Sequence, residues 1–143
     1  MILCDVNVLV YAFRKDATDH TDYARWFEEE VLNGERAYAF SELVLAAVVR
    51  LVTSHRIFPR PSRLEAVLGF CEQIRGQPNA LAVSPGPRHW NLFRRLLEES
   101  QAKGNLVTDA YLAALAIESG CEWITTDRDY SRFKGLRWRH PLA

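Results

Sequence analysis

Short apolar runs alternate with longer segments of helical periodicity along this chain of 143 residues. A short apolar run between turn residues is typical of a buried strand, whereas apolar residues spaced three and four apart indicate a helix. The apolar runs predict five strands, over residues 1–5, 36–40, 80–83, 122–126 and 136–138. The periodic segments predict helices over residues 7–14, 20–33, 41–53, 62–74 and 106–119, with a further helix that passes through Trp90 and ends near Lys103.

The alternation of these elements indicates the fold class. Strands separated by helices form parallel sheets with helices on both faces. We therefore expect an α/β fold, with a short parallel sheet, in a single domain over residues 1–143. Ser41 is expected to cap the third helix and Gly120 to end the last one.

Charge and cysteine content narrow the class of protein. Lys and Arg together number 18, as do Asp and Glu, so the formal net charge is zero. This balance argues against a general nucleic-acid coat protein but not against a nuclease with a local basic rim. Three cysteines without metal-like spacing, at positions 4, 71 and 121, favour a reduced, cytoplasmic protein. No basic leader precedes the first apolar run, and no stretch approaches the roughly 20 apolar residues of a membrane helix.

Four acidic residues stand among apolar neighbours. Asp5 and Asp127 end predicted strands, while Glu42 and Asp109 lie in the first turns of helices and head apolar stripes. Because parallel strands end, and the following helices begin, at one edge of a sheet, the four carboxylates are expected to meet there. Each acid alone is equally explained as a helix-dipole or turn residue, but the set of four favours a site.

Clustered carboxylates require a cation. Two of them about 4 Å apart repel by about 4 kcal/mol at an effective dielectric near 20. An all-oxygen set of ligands suits Mg²⁺, with Mn²⁺ as a substitute, better than Zn²⁺. Such an ion completes its shell with water and phosphate oxygens and activates water for phosphodiester hydrolysis. The acids therefore predict a metal-dependent hydrolase of phosphodiesters.

Four segments in order carry a resemblance to a known family: M-I-L-C-D-V-N-V-L-V-Y-A-F, S-E-L-V-L, G-N-L-V-T-D-A-Y-L-A-A-L-A and T-T-D-R-D-Y-S-R-F. Together they resemble the PIN domain and, more narrowly, the VapC-type ribonuclease toxins of bacterial type II toxin–antitoxin modules. The segments S-P-G-P-R-H-W-N-L-F and G-L-R-W-R-H-P are similar to a mycobacterial subgroup. The resemblance spans the whole chain.

The resemblance implies a Mg²⁺-dependent endoribonuclease that inhibits growth or translation by cleaving RNA. It also implies neutralisation by a cognate VapB-like antitoxin, a homodimer, and a folded substrate such as tRNA or rRNA. Asp5, Glu42, Asp109 and Asp127 fall on the acidic quartet of the family, with one or two metal ions left open. Asp129 is a rival for Asp127, which we prefer because it comes directly off the strand, whereas Asp129 is expected to cap the following turn. Tyr130 stands where the family more often has Phe.

Four further residues are candidates for supporting roles. Asn7 is expected either to hold Asp5 or a metal-bound water, or to cap the first helix. Thr126 is a candidate hydrogen-bond partner for the site, and Arg128 and Arg132 are candidates for contact with RNA phosphates. Three tryptophans, at positions 90, 123 and 138, either stack on bases or belong to the core.

Two alternative functions also fit the sequence. The segment D-V-N-V-L is similar to the D-x-D-x-[TV] opening of haloacid-dehalogenase-like phosphatases, in which Asp5 would be the nucleophile. Asn7 replaces the second Asp of that motif, which weakens this alternative. The other alternative is a non-catalytic PIN module that binds RNA or protein, although none of the four acids is missing.

Overall fold

The computed structural model describes residues 1–143 and contains one sheet of five parallel strands in the order β3-β2-β1-β4-β5. The strands are β1 (Ile2–Cys4), β2 (Tyr38–Phe40), β3 (Ala80–Ala82), β4 (Glu122–Ile124) and β5 (Trp138–Arg139). All five predicted strands are present, each shorter than expected. The central position of β1 follows from its pairing with both β2 and β4.

Six α-helices connect or follow these strands: α1 (Val6–Phe13), α2 (His20–Phe27), α3 (Glu42–Val52), α4 (Leu64–Gly76), α5 (His89–Ser100) and α6 (Asn105–Glu118). The predicted helix over residues 20–33 is α2 followed by a single π-turn at Glu28–Leu32. Ser41 is the N-cap residue of α3, as expected, but its side chain makes no capping hydrogen bond. Gly120 follows α6 with a φ of 69°, as a glycine at a helix end often does.

Both faces of the central strands are covered. Successive side chains of a strand point to opposite faces, and the neighbouring residues Leu3 and Cys4 are both buried. Trp123 and Ile124 of β4 are likewise fully buried. The buried apolar residues of strands and helices form one contiguous cluster. The predicted α/β architecture is therefore confirmed.

The segment S-P-G-P-R-H-W fixes the start of α5 against α6. The carboxylate of Glu118 accepts hydrogen bonds from the backbone N–H groups of Gly86 and Arg88 at 2.7 and 2.9 Å. A Cβ at position 86 would lie 2.8 Å from a Glu118 carboxylate oxygen, so a larger residue there would displace the Glu118 carboxylate. The buried ring of His89 lies 2.9 Å, through Nε2, from the Tyr111 carbonyl oxygen. This segment supports the helix that carries Asp109.

The three cysteines are buried and form no disulfide. None of the helices is both long enough and apolar enough to cross a membrane.

Candidate active site

A cavity of about 650 Å³ opens at the sheet edge where β1 and β4 end and where α3 and α6 begin. Three of the predicted acids line it: Asp5, Asp109 and Asp127. Its walls are mainly apolar and come from α1, α3 and α6, through residues such as Val10, Ala47, Leu51 and Leu112. The cavity thus combines a carboxylate end with an apolar cleft.

Asp5 is the most constrained of the three acids. It is buried and occupies the N-cap position of α1, where one carboxylate oxygen accepts the backbone N–H of Val6 at 2.7 Å. The other oxygen accepts the hydroxyl of Thr125 at 2.7 Å and the amide of Asn7 at 3.2 Å. Burial raises the pKa of Asp5 to about 6, opposed by the Thr125 and Val6 hydrogen bonds and reinforced by the charges of Asp109 and Asp127.

Asn7 and Thr125 form the support of this acid. The Asn7 amide also lies 3.4 Å from the Thr125 hydroxyl, and its carbonyl oxygen accepts the backbone N–H of Thr126 at 3.3 Å. Asn7 therefore holds Asp5, whereas the cap of α1 is Asp5 itself. Thr126 contributes only its backbone, so the expected side-chain contact belongs to Thr125 instead.

Asp109 is held by a residue to which the sequence gave no role. The buried hydroxyl of Tyr130 donates a hydrogen bond to a carboxylate oxygen of Asp109 at 3.2 Å. Burial raises the pKa of Asp109, the Tyr130 hydrogen bond lowers it, and the charges of Asp127 and Asp129 raise it further. Burial beside Asp5 and Asp109 raises the pKa of Tyr130, so its hydroxyl stays protonated and remains a donor. A Phe at this position would lack that donor.

Asp127 lines the cavity and Asp129 does not. One oxygen of Asp127 accepts the backbone N–H of Asp129 at 2.9 Å, so Asp127 itself caps the short 3-10 turn Arg128–Arg132. The expectation that Asp129 caps this turn was therefore wrong. Asp129 is exposed and lies 4.0 Å from the guanidinium of Arg132.

Glu42 is the acid that the structure does not bring to the cavity. Glu42 is the first residue of α3 and precedes Leu43, which lines the cavity. The Glu42 carboxylate, however, accepts a hydrogen bond from Arg75 of α4 at 3.4 Å. The side chain is 70% exposed. The prediction that four carboxylates meet at this edge thus needs correction to three. Helical position fixed where Glu42 lies, but the direction of its long side chain depends on its neighbours in α4.

Two cavity residues were missed from the sequence. Arg50, in the last turn of α3, and Thr108, in the first turn of α6, both line the cavity. Arg50 makes no ion pair and is exposed, so it supplies a free positive charge to a cavity that also holds three acids. Arg50 lies eight residues after Glu42 and therefore on the same helix face, which was the sequence signal for its position near the cavity.

Three carboxylates in one partly apolar cavity fit a hard divalent cation. The donors are all oxygen atoms, and the two charges nearest Asp5 disfavour its ionised form in the absence of a cation. No group of three or more His, Cys, Asp or Glu side chains lies close enough to form a complete metal site from protein ligands alone. Mg²⁺ does not require such a site, because it usually keeps several waters and takes only one or two carboxylates.

Comparisons with known proteins agree with this geometry. The PIN domain family matches residues 2–136 of the chain. Ribonuclease VapC43 of Mycobacterium tuberculosis is 41% identical over 142 residues, which cover 99% of this chain and 96% of that protein. Ribonuclease VapC25 of the same organism is 40% identical over 141 residues, covering 99% of each chain.

Solved structures show the same fold at low sequence identity. VapBC2 from Rickettsia felis, bound to a promoter DNA fragment, aligns with a TM-score of 0.68 and 20% identity over 98% of each chain. VapC20 from M. tuberculosis, described as a toxin that cleaves the sarcin–ricin loop, aligns with a TM-score of 0.65 and 17% identity. That alignment covers 96% of this chain and 99% of VapC20. By its PIN domain and its full-length similarity to these relatives, the chain belongs to the VapC ribonuclease family.

Proposed function

We propose that this protein is a divalent-cation-dependent endoribonuclease and the toxin of a type II toxin–antitoxin pair. The observation that carries the proposal is the cavity in which Asp5, Asp109 and Asp127 meet, in a chain whose relatives are named ribonucleases. Cleavage of cellular RNA in the cytoplasm would inhibit translation and growth. Mg²⁺ is the proposed cofactor, with Mn²⁺ as a substitute.

Asp5, Asp109 and Asp127 would hold the cation, one or two of them directly and the rest through its bound waters. When bound, the ion would lower the pKa of a water molecule and stabilise negative charge on the phosphate that is attacked. Thr125 and Asn7 fix the orientation of Asp5 through one of its oxygens, and Tyr130 fixes Asp109. These contacts orient the ligands before substrate binds, which removes an ordering cost from the reaction.

Glu42 remains the proposed fourth acid of the site. Only one exposed ion pair, at 3.4 Å from Arg75, directs its carboxylate away from the cavity. Exposed pairs of this kind stabilise a conformation by about 1 kcal/mol or less. A bound cation beside Asp5 would therefore suffice to turn the Glu42 side chain toward the cavity, since residue 43 already lines it.

The substrate is proposed to be a folded RNA such as tRNA or rRNA. The formal net charge of zero supplies no bulk attraction for nucleic acid, so local features must recognise the substrate. Arg50 within the cavity and Arg128 at its border are cations without carboxylate partners, suited to phosphate contact. Arg132, by contrast, is already paired with Asp129.

The proposed partner is a VapB-like antitoxin, with a second copy of the chain completing a homodimer. VapBC2 from Rickettsia felis was solved as a toxin–antitoxin complex. In this chain the cavity has apolar walls, and Leu43 at its rim is 51% exposed. An antitoxin segment lying over these walls would bury that surface and close access to the acids.

Expression without antitoxin tests the function. The parental protein is expected to arrest growth and to generate RNA fragments with 5′-phosphate and 3′-hydroxyl ends, because water and not a 2′-hydroxyl is the nucleophile. Asp109→Asn, expressed to the same soluble level, is the matched control and should do neither. Normal growth with soluble parental protein, or fragments ending in 2′,3′-cyclic phosphate, would contradict the proposal.

The same material distinguishes the two alternatives. A haloacid-dehalogenase-like phosphatase would form a covalent phosphate adduct on Asp5, detectable by mass spectrometry after incubation with a phosphomonoester. That alternative has lost its support, since the family is the PIN domain. A non-catalytic module would bind antitoxin or RNA without generating new RNA ends.

A further inference from the structure

A second concave surface adjoins the acidic cavity. It has a volume of about 600 Å³ and is lined by Arg128, Trp138, Arg139, His140, Leu142 and Ala143. Strand β5 runs parallel to β4, so residues that follow β5 lie at the same sheet edge as Asp5 and Asp127. Asp127 lines the first cavity and Arg128 the second, and consecutive Cα atoms are only about 3.8 Å apart. The two cavities therefore lie on either side of the Asp127–Arg128 peptide bond.

Arg128 gives the second cavity a free positive charge. Its side chain is exposed and no carboxylate lies within ion-pairing distance of it. The neighbouring arginines differ, because Arg139 pairs with Glu122 at 2.8 Å and Arg132 lies 4.0 Å from Asp129. Arg128 is thus the lining guanidinium whose donors remain available to a ligand.

Trp138 gives the cavity an aromatic surface. Its ring is half-buried against the core. Its indole N–H is accessible and makes no hydrogen bond within the protein. Trp123, by contrast, is fully buried and belongs to the core, and Trp90 is 66% exposed on α5 but lines neither cavity. His140 orders the adjoining wall, since its Nδ1 accepts the backbone N–H of Leu142 at 3.1 Å.

We propose that this second cavity binds an unpaired nucleotide that flanks the cleaved phosphodiester. Trp138 would stack on the base and Arg128 would contact the phosphate between the two cavities. This inference rests on the proposed ribonuclease function and adds to it a subsite for single-stranded RNA. The juxtaposition favours RNA over an acidic protein segment, because a strand with one phosphate at the acids passes directly to Arg128.

Direct binding of RNA tests the subsite independently of cleavage. The probe is a 12-nucleotide single-stranded RNA of mixed sequence with a 5′ fluorophore, titrated with protein in excess chelator and followed by fluorescence anisotropy. Trp138→Leu is expected to weaken binding by about 5- to 150-fold, the range for loss of one stacked base, and Trp138→Phe to retain most of it. Arg128→Gln should reduce the slope of log affinity against log salt concentration by about 0.7.

Matched substitutions elsewhere serve as controls. Trp90→Leu removes an exposed tryptophan outside both cavities, and Arg94→Gln removes an exposed arginine that pairs with Glu98 on α5. Both are expected to bind the probe like the parental protein. If Trp138→Leu unfolds, the salt dependence of probe binding by Arg128→Gln and the probe affinity of Trp138→Phe test the subsite instead, because neither change removes much packing.

The outcomes separate this inference from the proposed function. If Arg128→Gln and Trp138→Leu bind the probe like the parental protein while chelator-sensitive RNA cleavage persists, the subsite is wrong and the ribonuclease function stands. If the parental protein cleaves no RNA but the two variants lose probe binding, the function is wrong and the subsite stands. Parental protein that does not bind the probe overturns the subsite. Variants that lose antitoxin binding but keep RNA binding would show a protein-docking surface instead.

Discussion

Replacing Asp5 by Asn should stabilise the metal-free protein at neutral pH while abolishing RNA cleavage. The substitution keeps the shape of the side chain and removes a buried negative charge. In the parental protein this charge lies in a site where burial and the charges of Asp109 and Asp127 disfavour it. A carboxylate that served only as a helix cap would give a different result, with stability nearly unchanged and cleavage retained, because Asn caps a helix about as well as Asp.

The magnitude follows from the pKa of Asp5. Burial raises this pKa from 3.8 to about 6. At about 1.36 kcal/mol per pH unit, this difference makes the ionised carboxylate cost about 3 kcal/mol of folding free energy well above pH 6. Asn carries an NH₂ group in place of the oxygen that accepts the Thr125 hydroxyl and the Asn7 amide, a loss of about 1 kcal/mol for each of these two hydrogen bonds. The variant should therefore be more stable than the parental protein by about 1 kcal/mol at pH 7.5.

The pH dependence gives the sharper test. A carboxyl group with a higher pKa in the folded state stabilises the fold when protonated, and this contribution is lost as the pH rises through about 6. At pH 5 the parental Asp5 is mostly protonated in the fold, so the stability of Asp5→Asn relative to the parental protein should fall by about 1.5 kcal/mol from its value at pH 7.5. Lowering the pH should thus raise the relative stability of the parental protein.

Urea unfolding in excess chelator, followed by tryptophan fluorescence at pH 5 and pH 7.5, measures both values. Asp129→Asn is the control, because this exposed acid at the same edge does not line the cavity and should change stability by less than about 0.5 kcal/mol. Adding Mg²⁺ should stabilise the parental protein and not Asp5→Asn, since a ligand that binds the folded state raises its stability. An Asp5→Asn protein that unfolds more easily at pH 7.5, or that cleaves RNA at the parental rate, would refute the reasoning.

Three further outcomes are expected. Tyr130→Phe removes only the hydroxyl that holds Asp109 and should raise the Mg²⁺ concentration needed for half-maximal cleavage several-fold. The control Tyr38→Phe removes the hydrogen bond of another buried tyrosine hydroxyl, and should lower the melting temperature without changing that Mg²⁺ concentration. Equal metal dependence in both variants would exclude a positioning role for Tyr130. Glu42→Gln should lower the cleavage rate more than tenfold. Arg75→Gln, which frees the Glu42 carboxylate, should leave the cleavage rate within tenfold of the parental rate. A parental cleavage rate in Glu42→Gln would show that Glu42 is not part of the site. Excess chelator should abolish RNA cleavage, and Mg²⁺ or Mn²⁺ should restore it, because the donors are hard oxygens; cleavage that persists in chelator would show that no cation is needed.

The sequence by itself determined the elements and the place of the site. Apolar runs and helical periodicity are local properties, so all five strands and the six helices were predicted, with errors mainly at their ends. The parallel sheet followed from their alternation, because such strands must be joined by crossovers. Asp5, Asp109 and Asp127 were placed at one edge by the same logic. The expectation that Asp109 lies in the first turn of its helix was wrong, because α6 begins at Asn105 and Asp109 is its fifth residue.

Only the tertiary structure decided which side chains meet. Thr125 rather than Thr126 contacts Asp5, and Tyr130 reaches Asp109 across 21 positions of sequence. Glu42 turns to Arg75 although, like Asp109, it lies near the start of its helix. Each outcome depends on the direction of a side chain and on the neighbours brought by another element, and neither quantity is encoded in local periodicity. The second cavity beside Arg128 likewise exists only because β5 packs against β4 and brings Trp138 to the edge that carries the acids.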